Sequence, residues 1–215
     1  MSATWGNMLK LTVFGESHGA AIGGVLDGIR AGTEVDEQYI AAQMARRAPG
    51  SKLSTPRSEA DAVEILSGVT NGRTNGAPLA FAIRNRNTRS GDYSQFAVTP
   101  RPSHSDYPAG VKYHGYNDFS GGGHFSGRLT AVLVAAGSIV RRELEKHGIK
   151  TGAHLIKVGN AEAERYDPQG PSLCTDTAQS ILQQIKDALE RGDSVGGQIE
   201  CAVCGLEVGK FRSHC

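Results

Sequence analysis

Residues 120–147 read SGGGHFSGRLTAVLVAAGSIVRRELEKH, in which three consecutive glycines precede a long stretch with helical periodicity. From about Gly127 to His147, aliphatic residues recur at steps of three and four, the spacing of one helix face. Basic residues lie near the carboxyl end, where the helix dipole favours positive charge, and Gly148 can end the helix. The stretch therefore predicts a long helix whose apolar face packs in a core.

Two further helices and six strands are predicted from the rest of the sequence. The helices run from about Glu34 to Arg47, with Thr33 as the expected N-cap, and from about Asp176 to Arg191. Helices and strands intermingle and no linker divides the sequence, so we expect one domain of mixed α and β structure over residues 1–215. The strands are predicted from short aliphatic runs bounded by glycine or polar residues, over 9–14, 21–26, 62–66, 78–83, 153–158 and 198–203.

The charges of the chain are nearly balanced. Its 215 residues include 23 lysines and arginines and 22 aspartates and glutamates, a net charge of +1. A nucleic-acid partner is not expected, because such proteins typically carry a basic excess. Between Met44 and Arg101, however, nine basic residues stand against four acidic ones. This concentration favours a localised anionic ligand, although a solvated loop face has a similar composition.

The amino terminus and the cysteines predict a soluble, cytoplasmic protein. The first residues, MSATWGNMLKLTVFG, do not follow the signal-peptide pattern, and no run approaches the about 18 apolar residues of a membrane span. Four cysteines, all late in the sequence, are typical of reduced thiols in the cytosol. Cys201 and Cys204 form a CxxC pair in a predicted strand; two strand cysteines are the simpler interpretation, and a metal or redox role stays open.

The glycines at 121–123 do not match the common nucleotide-binding loops. A P-loop requires lysine and a hydroxyl residue where this chain has Arg128 and Leu129, and a dinucleotide fold requires a preceding strand and a following acidic residue. Glycine amides, a helix amino terminus and the Arg128 guanidinium can form a simpler anion site. A turn that only permits tight packing is the alternative.

Two histidines lie in polar segments that could carry chemistry. The segment GESHG follows the first strand and places Ser17 beside His18, but neighbouring side chains on extended backbone point apart, which excludes a hydrolase pair. His104, with Asp106 and Tyr107 nearby, could transfer protons near neutral pH. Either histidine could also be an ordinary packed or loop residue. The histidine spacing matches no known ligand set, so no metal site is expected.

Taken in order along the chain, the motifs resemble those of the chorismate synthase family from about Phe14 to Gly209. They are GESHG, RRAPG, EADAVEILSGVTNGRTNGAPLAFAIRN, RPSHSDY and GGGHFSGRLT. The resemblance implies elimination of phosphate from 5-enolpyruvylshikimate 3-phosphate to give chorismate, a 1,4-anti elimination in the shikimate pathway that requires reduced FMN. It also implies an α+β fold with helices sandwiched between antiparallel sheets. The family is homotetrameric, and NADPH serves only as a reductant in bifunctional relatives.

The resemblance also implies roles for individual residues. His18 matches the histidine beside the leaving phosphate, His104 the histidine near the flavin, and Ser17 a serine of the proton relay. The residues that match the family's positions for binding the anionic groups of the substrate are Arg47, Lys52, Arg57 and Arg128. Those that match its FMN contacts are His124, Phe125 and Ser126. Many members have RSSARET where this chain has HFSGRLT, which weakens the flavin contacts at His124 and Phe125.

Family members continue well beyond the last matching motif, into a portion that supplies further site residues. We therefore expect a fold that is incomplete at the carboxyl end and a chain that is weakly active or inactive alone. A truncated, non-catalytic homologue that binds an anion or a flavin is the alternative interpretation.

Overall fold

The computed structural model describes residues 3–47, 61–86, 98–162 and 178–207, together with Tyr93 and Phe96. The described residues up to Arg142 form one compact unit, and those from Glu143 onward form a second. Each unit combines helices with an antiparallel sheet, which confirms the α+β class. The single domain over residues 1–215 stays a prediction.

The first unit is built on strands that pair antiparallel. In chain order these are β1 Thr4–Trp5, β2 Lys10–Gly15, β3 Ala21–Asp27, β4 Val63–Ser67, β5 Val69–Thr70, β6 Arg73–Thr74 and β7 Leu79–Arg84. Five of them form one sheet in the order β1-β2-β3-β7-β4, and β5 pairs with β6. The β2–β3 register runs from Lys10↔Asp27 to Gly15↔Ile22, so residues 16–20 form the connecting turn.

Three helices belong to this part of the chain: α1 Glu37–Arg47, α2 Asp106–Lys112 and α3 Thr130–Lys146. The long helix predicted from residue 127 is confirmed, although its first turn, Gly127–Leu129, is a 3₁₀ turn. No helix among the described residues has the length and apolar character needed to cross a membrane.

The α3 helix packs its apolar face against the sheet. Its core residues include Ala131, Val132, Ala135, Ala136 and Ile139. A Cβ on Gly24 of β3 would lie 2.8 Å from the Phe81 ring and 2.9 Å from Val132 Cγ1. Glycine at position 24 therefore lets the helix and the sheet approach each other closely. This packing fixes the position of the loop that precedes α3.

The predicted N-cap of α1 is wrong. Asp36 caps the helix, since its Oδ1 accepts from the Tyr39 amide at 2.9 Å, whereas the Thr33 hydroxyl donates to the Arg30 carbonyl at 2.8 Å. The backbone of Thr33 also pairs with Thr74 of β6, with the Thr74 amide donating to the Thr33 carbonyl at 2.9 Å. Residues 33–35 are held as extended chain by this pairing, so the helix begins only after Asp36.

Replacing the observed cap should have a measurable cost. We expect Asp36→Ala to lower the free energy of unfolding by about 1 kcal/mol, because the Tyr39 amide loses its acceptor. Urea unfolding measures the loss, and Asp36→Asn, which keeps a capping oxygen, should change stability by only a few tenths of that amount. Equal losses in both variants would show that the 3.6 Å pair with Arg142, not the cap, provides the stability.

The α2 helix was not predicted. Its sequence, DYPAGVK, is too short to show helical periodicity and contains a proline and a glycine. Pro108 is tolerated because it lies in the first turn, where its missing amide has no helical partner to lose. The carboxylate of Asp106 occupies the same first turn.

The second unit contains β8 Lys150–Val158, β9 Ala161–Glu162, α4 Ala178–Glu190 and β10 Gly197–Cys204, with the strands in the order β10-β8-β9. Cys201 and Cys204 are exposed thiols on β10. Because they are three residues apart on a strand, their side chains point to opposite faces of the sheet. Within the described residues there is no cluster of potential metal ligands.

Candidate functional site

Ser17 and His18 lie in the turn between β2 and β3. Ser17 is fully buried, and its Oγ donates to the Ser120 carbonyl at 3.1 Å. His18 Nδ1 lies 3.1 Å from Ser17 Oγ. A carbonyl can only accept, so the serine hydrogen points to Ser120 and His18 Nδ1 donates to the serine oxygen. The expectation that these side chains point apart is wrong, because a turn replaces extended backbone here.

The glycines at 121–123 adopt left-handed backbone conformations, with φ values of 59°, 91° and 53°. Residues other than glycine rarely adopt such φ values, and three in succession are rarer still. The Ser17 amide donates to the Gly123 carbonyl at 3.1 Å, which joins this segment to the β2–β3 turn. We call residues 121–123 the glycine turn.

Adjacent residues of the glycine turn contact the two predicted catalytic histidines. A Cβ on Gly121 would overlap the His18 ring and lie 2.8 Å from Ser17 Oγ. A Cβ on Gly122 would lie 2.9 Å from His104 Cε1 and 3.0 Å from His104 Nε2. The absence of side chains at these two positions therefore brings both imidazoles to one turn.

His104 forms a cluster with Arg101 and Asp106. The buried Asp106 carboxylate accepts from Arg101 Nε at 2.7 Å and from Arg101 Nη2 at 2.8 Å, and His104 Nδ1 lies 2.7 Å from Oδ1. Hydrogen bonds from the Arg101 guanidinium hold the pKa of Asp106 well below its usual range, although burial opposes this shift. The same contact raises the pKa of Arg101. The carboxylate therefore stays ionised.

The stability that this cluster provides should depend on pH. The pKa of Asp106 is lower in the folded chain than in the unfolded chain, so the unfolded chain binds the proton first as the pH falls. We expect Asp106→Asn to lower the free energy of unfolding by about 2 kcal/mol at pH 7. The difference from wild type should shrink as the pH falls below about 4.

Urea unfolding of both proteins at pH 7, 5, 4 and 3 tests this expectation. Asp118→Asn is the control, because Asp118 accepts from the Ser120 amide at 2.9 Å through an oxygen that asparagine retains. A constant difference between wild type and Asp106→Asn across the whole pH range would contradict the assigned ionisation.

Two predicted substrate-binding arginines meet at one buried carboxylate. Asp61 Oδ2 accepts from Arg47 Nη1 at 2.9 Å, and Asp61 Oδ1 accepts from Arg128 Nη1 at 2.6 Å. The side-chain exposures are 3% for Asp61, 9% for Arg128 and 23% for Arg47. Two guanidinium groups and one carboxylate leave a net positive charge, which suits an anionic ligand. We call these three residues the arginine cluster.

Asn85 connects the arginine cluster to the β2–β3 turn. Its Nδ2 donates to the carbonyls of Glu16 at 3.0 Å and Gly19 at 2.8 Å, and its Oδ1 accepts from Arg128 Nε at 3.0 Å. One amide side chain thus orients the backbone that carries Ser17 and His18 relative to Arg128. The β2–β3 turn, His18 and the two arginines are thus joined by hydrogen bonds within the first unit, and His104 reaches them through its contact with Gly122.

The three predicted flavin contacts follow the glycine turn. His124 Nδ1 lies 2.9 Å from the Gly15 carbonyl, and because a carbonyl only accepts, this nitrogen carries hydrogen. Ser126 Oγ accepts from the Arg128 amide at 3.3 Å. Phe125 is 40% exposed, with its ring centroid 6.1 Å from that of Tyr113.

Two of the predicted substrate-binding residues, Lys52 and Arg57, lie outside the described part of the chain. The sequence analysis missed two residues, Asp61 and Asn85, that hold the network together. The sequence offered one signal for Asp61, since it is one of few acidic residues in the basic segment from Met44 to Arg101.

The sequence matches known proteins over nearly its whole length. The family model described as chorismate synthase matches residues 9–211. Chorismate synthases from Thermococcus kodakarensis and Aeropyrum pernix are 41% and 40% identical over 95% of this chain, and the matches cover 59% and 57% of those proteins. The relative from Parabacteroides distasonis is 42% identical over 96% of this chain and 60% of its own length.

A solved structure gives the same result for the fold. A crystal structure of chorismate synthase matches 93% of this chain with a TM-score of 0.69 and 26% identity, and the match covers 58% of that structure's chain. The chain thus spans about three fifths of the length of the curated relatives it matches.

Proposed function

Because this chain belongs to the chorismate synthase family, we propose that it carries the phosphate-leaving and flavin-facing part of a site that converts 5-enolpyruvylshikimate 3-phosphate to chorismate. The reaction is a 1,4-anti elimination of phosphate in the shikimate pathway, which makes the enzyme a lyase. The observation that best supports this proposal is the contact of His18 and His104 with neighbouring residues of the glycine turn.

His18 is the proposed partner of the leaving phosphate. Its Nδ1 donates to Ser17 Oγ, so Nε2 is the ring nitrogen that can donate to a phosphate oxygen when the imidazole is protonated. Ser17 fixes this orientation from a fully buried position. An imidazolium at this place would stabilise the negative charge that develops on the leaving group.

The arginine cluster is the proposed site for the substrate's remaining anionic groups. Arg47 and Arg128 present guanidinium groups whose orientation is fixed by Asp61 and Asn85. Such fixed groups need no reorganisation when a carboxylate or phosphate binds. The two described arginines therefore orient the substrate, and Lys52 and Arg57 are proposed to add further positive charge.

The residues after the glycine turn fit a flat, partly polar ring such as the isoalloxazine of FMN. The half-exposed rings of Phe125 and Tyr113 offer apolar surface, and the imidazole of His124 and the hydroxyl of Ser126 offer polar edges beside it. We propose that His124, Phe125 and Ser126 hold this ring. Reduced FMN, when bound, supplies the electron-rich ring that assists cleavage of the allylic C–O bond.

His104 lies against Gly122 of the glycine turn. We propose that its Nε2 holds or releases a proton next to the reduced ring, and so balances the charge there. NADPH enters only as a possible source of reducing equivalents. The homotetramer and the cytoplasmic location stay predictions.

Calorimetric titration of this chain under anaerobic conditions tests the proposal. We expect reduced FMN and the substrate to bind to one site, each raising the affinity for the other. His18→Ala should weaken substrate binding and His104→Ala should weaken FMN binding, each on the order of tenfold, which corresponds to about 1.4 kcal/mol. His147→Ala, in the second unit, is the control and should change neither affinity.

Three outcomes separate the alternatives. Binding of only one ligand, without coupling to the other, would favour the non-catalytic binding module. Binding of neither would contradict the proposed function. Because the chain matches only about three fifths of its relatives' length, phosphate release in the same samples should be small. Release at the relatives' rate would show that their unmatched portion is dispensable for turnover.

A further inference from the structure

We infer that Asp106 is a positioning residue: it fixes His104 in the tautomer that carries hydrogen on Nδ1, and so directs Nε2 of His104 at the glycine turn. The assignment of the tautomer rests on the structure alone. Its consequence for the reaction rests on the function proposed above.

The contacts of Asp106 leave one arrangement of hydrogens. Its carboxylate is ionised, because Arg101 donates to both oxygens. An unprotonated His104 Nδ1 at 2.7 Å from Oδ1 would place two lone pairs against each other. The hydrogen must therefore lie on Nδ1, which donates to the carboxylate.

A second short contact of His104 is explained by the same geometry. Arg101 Nη2 lies 3.3 Å from His104 Nδ1, which would suggest that the imidazole accepts from the guanidinium. Both nitrogens, however, lie within 2.8 Å of the same oxygen, Asp106 Oδ1. Their proximity follows from this shared acceptor, and the shorter contacts to oxygen are the hydrogen bonds.

The position of Nε2 follows from the ring orientation. The Cε1–Nε2 edge of His104 lies over Gly122, at 2.9 and 3.0 Å from where a Cβ would be. With Nδ1 bonded to Asp106, Nε2 is the nitrogen that can exchange a proton with a ligand at the glycine turn. Asp106 itself is 3% exposed and contacts the ring at Nδ1, so it acts only through His104.

The substitution Asp106→Asn should reverse the tautomer. The amide oxygen is expected to occupy the Oδ2 position, where the Arg101 amide and Nε both donate, at 3.0 and 2.7 Å. The amide nitrogen then faces His104 Nδ1 and Arg101 Nη2. The guanidinium can only donate, whereas the imidazole nitrogen can accept, so the hydrogen of the neutral ring moves to Nε2. We expect the ratio of the two tautomers to change at least tenfold.

Two-bond ¹H–¹⁵N correlation spectra of the full chain, labelled at histidine nitrogens and recorded without ligand at a pH where imidazoles are neutral, measure this ratio. Wild type should show the Nδ1–H pattern for His104, Asp106→Asn the Nε2–H pattern, and the control Asp118→Asn the wild-type pattern. The substitution His104→Gln identifies the signal.

An Nε2–H pattern in wild type would overturn the inference without any variant, so the test holds even where Asp106→Asn fails to fold. An unchanged pattern in a folded Asp106→Asn protein would overturn it as well. Because no ligand is present, these results are independent of the titrations that test the proposed function. A correct tautomer in a chain that binds neither ligand would refute the function and leave the positioning role intact.

Discussion

The substitution Asp61→Asn should lower the free energy of unfolding by about 3–5 kcal/mol, the largest effect that we expect from a single change in this chain. The Asp61 carboxylate is 97% buried and accepts from two arginines, of which Arg128 is 9% exposed. Asparagine can accept from only one of them and turns an amide donor toward the other. A buried guanidinium then loses its counter-charge, which costs more than the loss of an exposed pair.

The exposed pair of Glu64 and Arg84 provides the matched control. Its atoms are 3.0 Å apart, but the two side chains are 45% and 55% exposed. We expect Glu64→Gln to cost less than about 1 kcal/mol, and this loss should decrease further at high salt. Urea unfolding of wild type and both variants at two salt concentrations measures the contrast. An Asp61→Asn loss no larger than that of Glu64→Gln would show that the arginine cluster does not stabilise the fold.

The substitution Gly121→Ala should cost about 3 kcal/mol and displace His18. Two effects add at this position. A left-handed backbone with φ of 59° costs a residue with a Cβ about 1–2 kcal/mol. The new methyl group would also overlap the His18 ring, which must move and break its hydrogen bond with Ser17.

The substitution Gly72→Ala is the control, because it carries only the first of these effects. Gly72 also has a positive φ, of 71°, but among the described residues no atom other than those of its chain neighbours lies within 4 Å of the place where its Cβ would be. We expect this control to cost about 1–2 kcal/mol and to leave the His18 ring signals unchanged. If both alanine variants lose the same stability and neither shifts the His18 signals, the glycine turn does not hold this histidine.

The regular elements of the fold could be predicted because each one has a local signal. The apolar period over residues 127–147 predicted α3, and aliphatic runs between glycines predicted β2, β3, β4, β7, β8 and β10 to within a few residues. The α1 start was misplaced because Thr33 and Asp36 are both good caps. Which of the two residues caps the helix depends on the pairing of residues 33–35 with β6. The strand β6 lies about forty residues further along the sequence.

The connections within the site could not be predicted in the same way. Ser17 and the glycine turn are about one hundred residues apart in sequence, and only the fold shows that the Ser17 hydroxyl donates to Ser120. The same is true of Asp61, whose partners Arg47 and Arg128 come from either side of it along the chain. The resemblance to a family named the histidines and arginines, but not the carboxylates that fix their orientation.

The proposed function requires that His18 and His104 face one ligand site at the glycine turn. The most direct test records the imidazole ¹⁵N signals of the chain while reduced FMN and then 5-enolpyruvylshikimate 3-phosphate are added anaerobically. We predict that the ring signals of both His18 and His104 shift and saturate with ligand, while those of His147 and His154 in the second unit stay unchanged. Saturating ligand that leaves both His18 and His104 unchanged, or that shifts all four histidines alike, would contradict the claim.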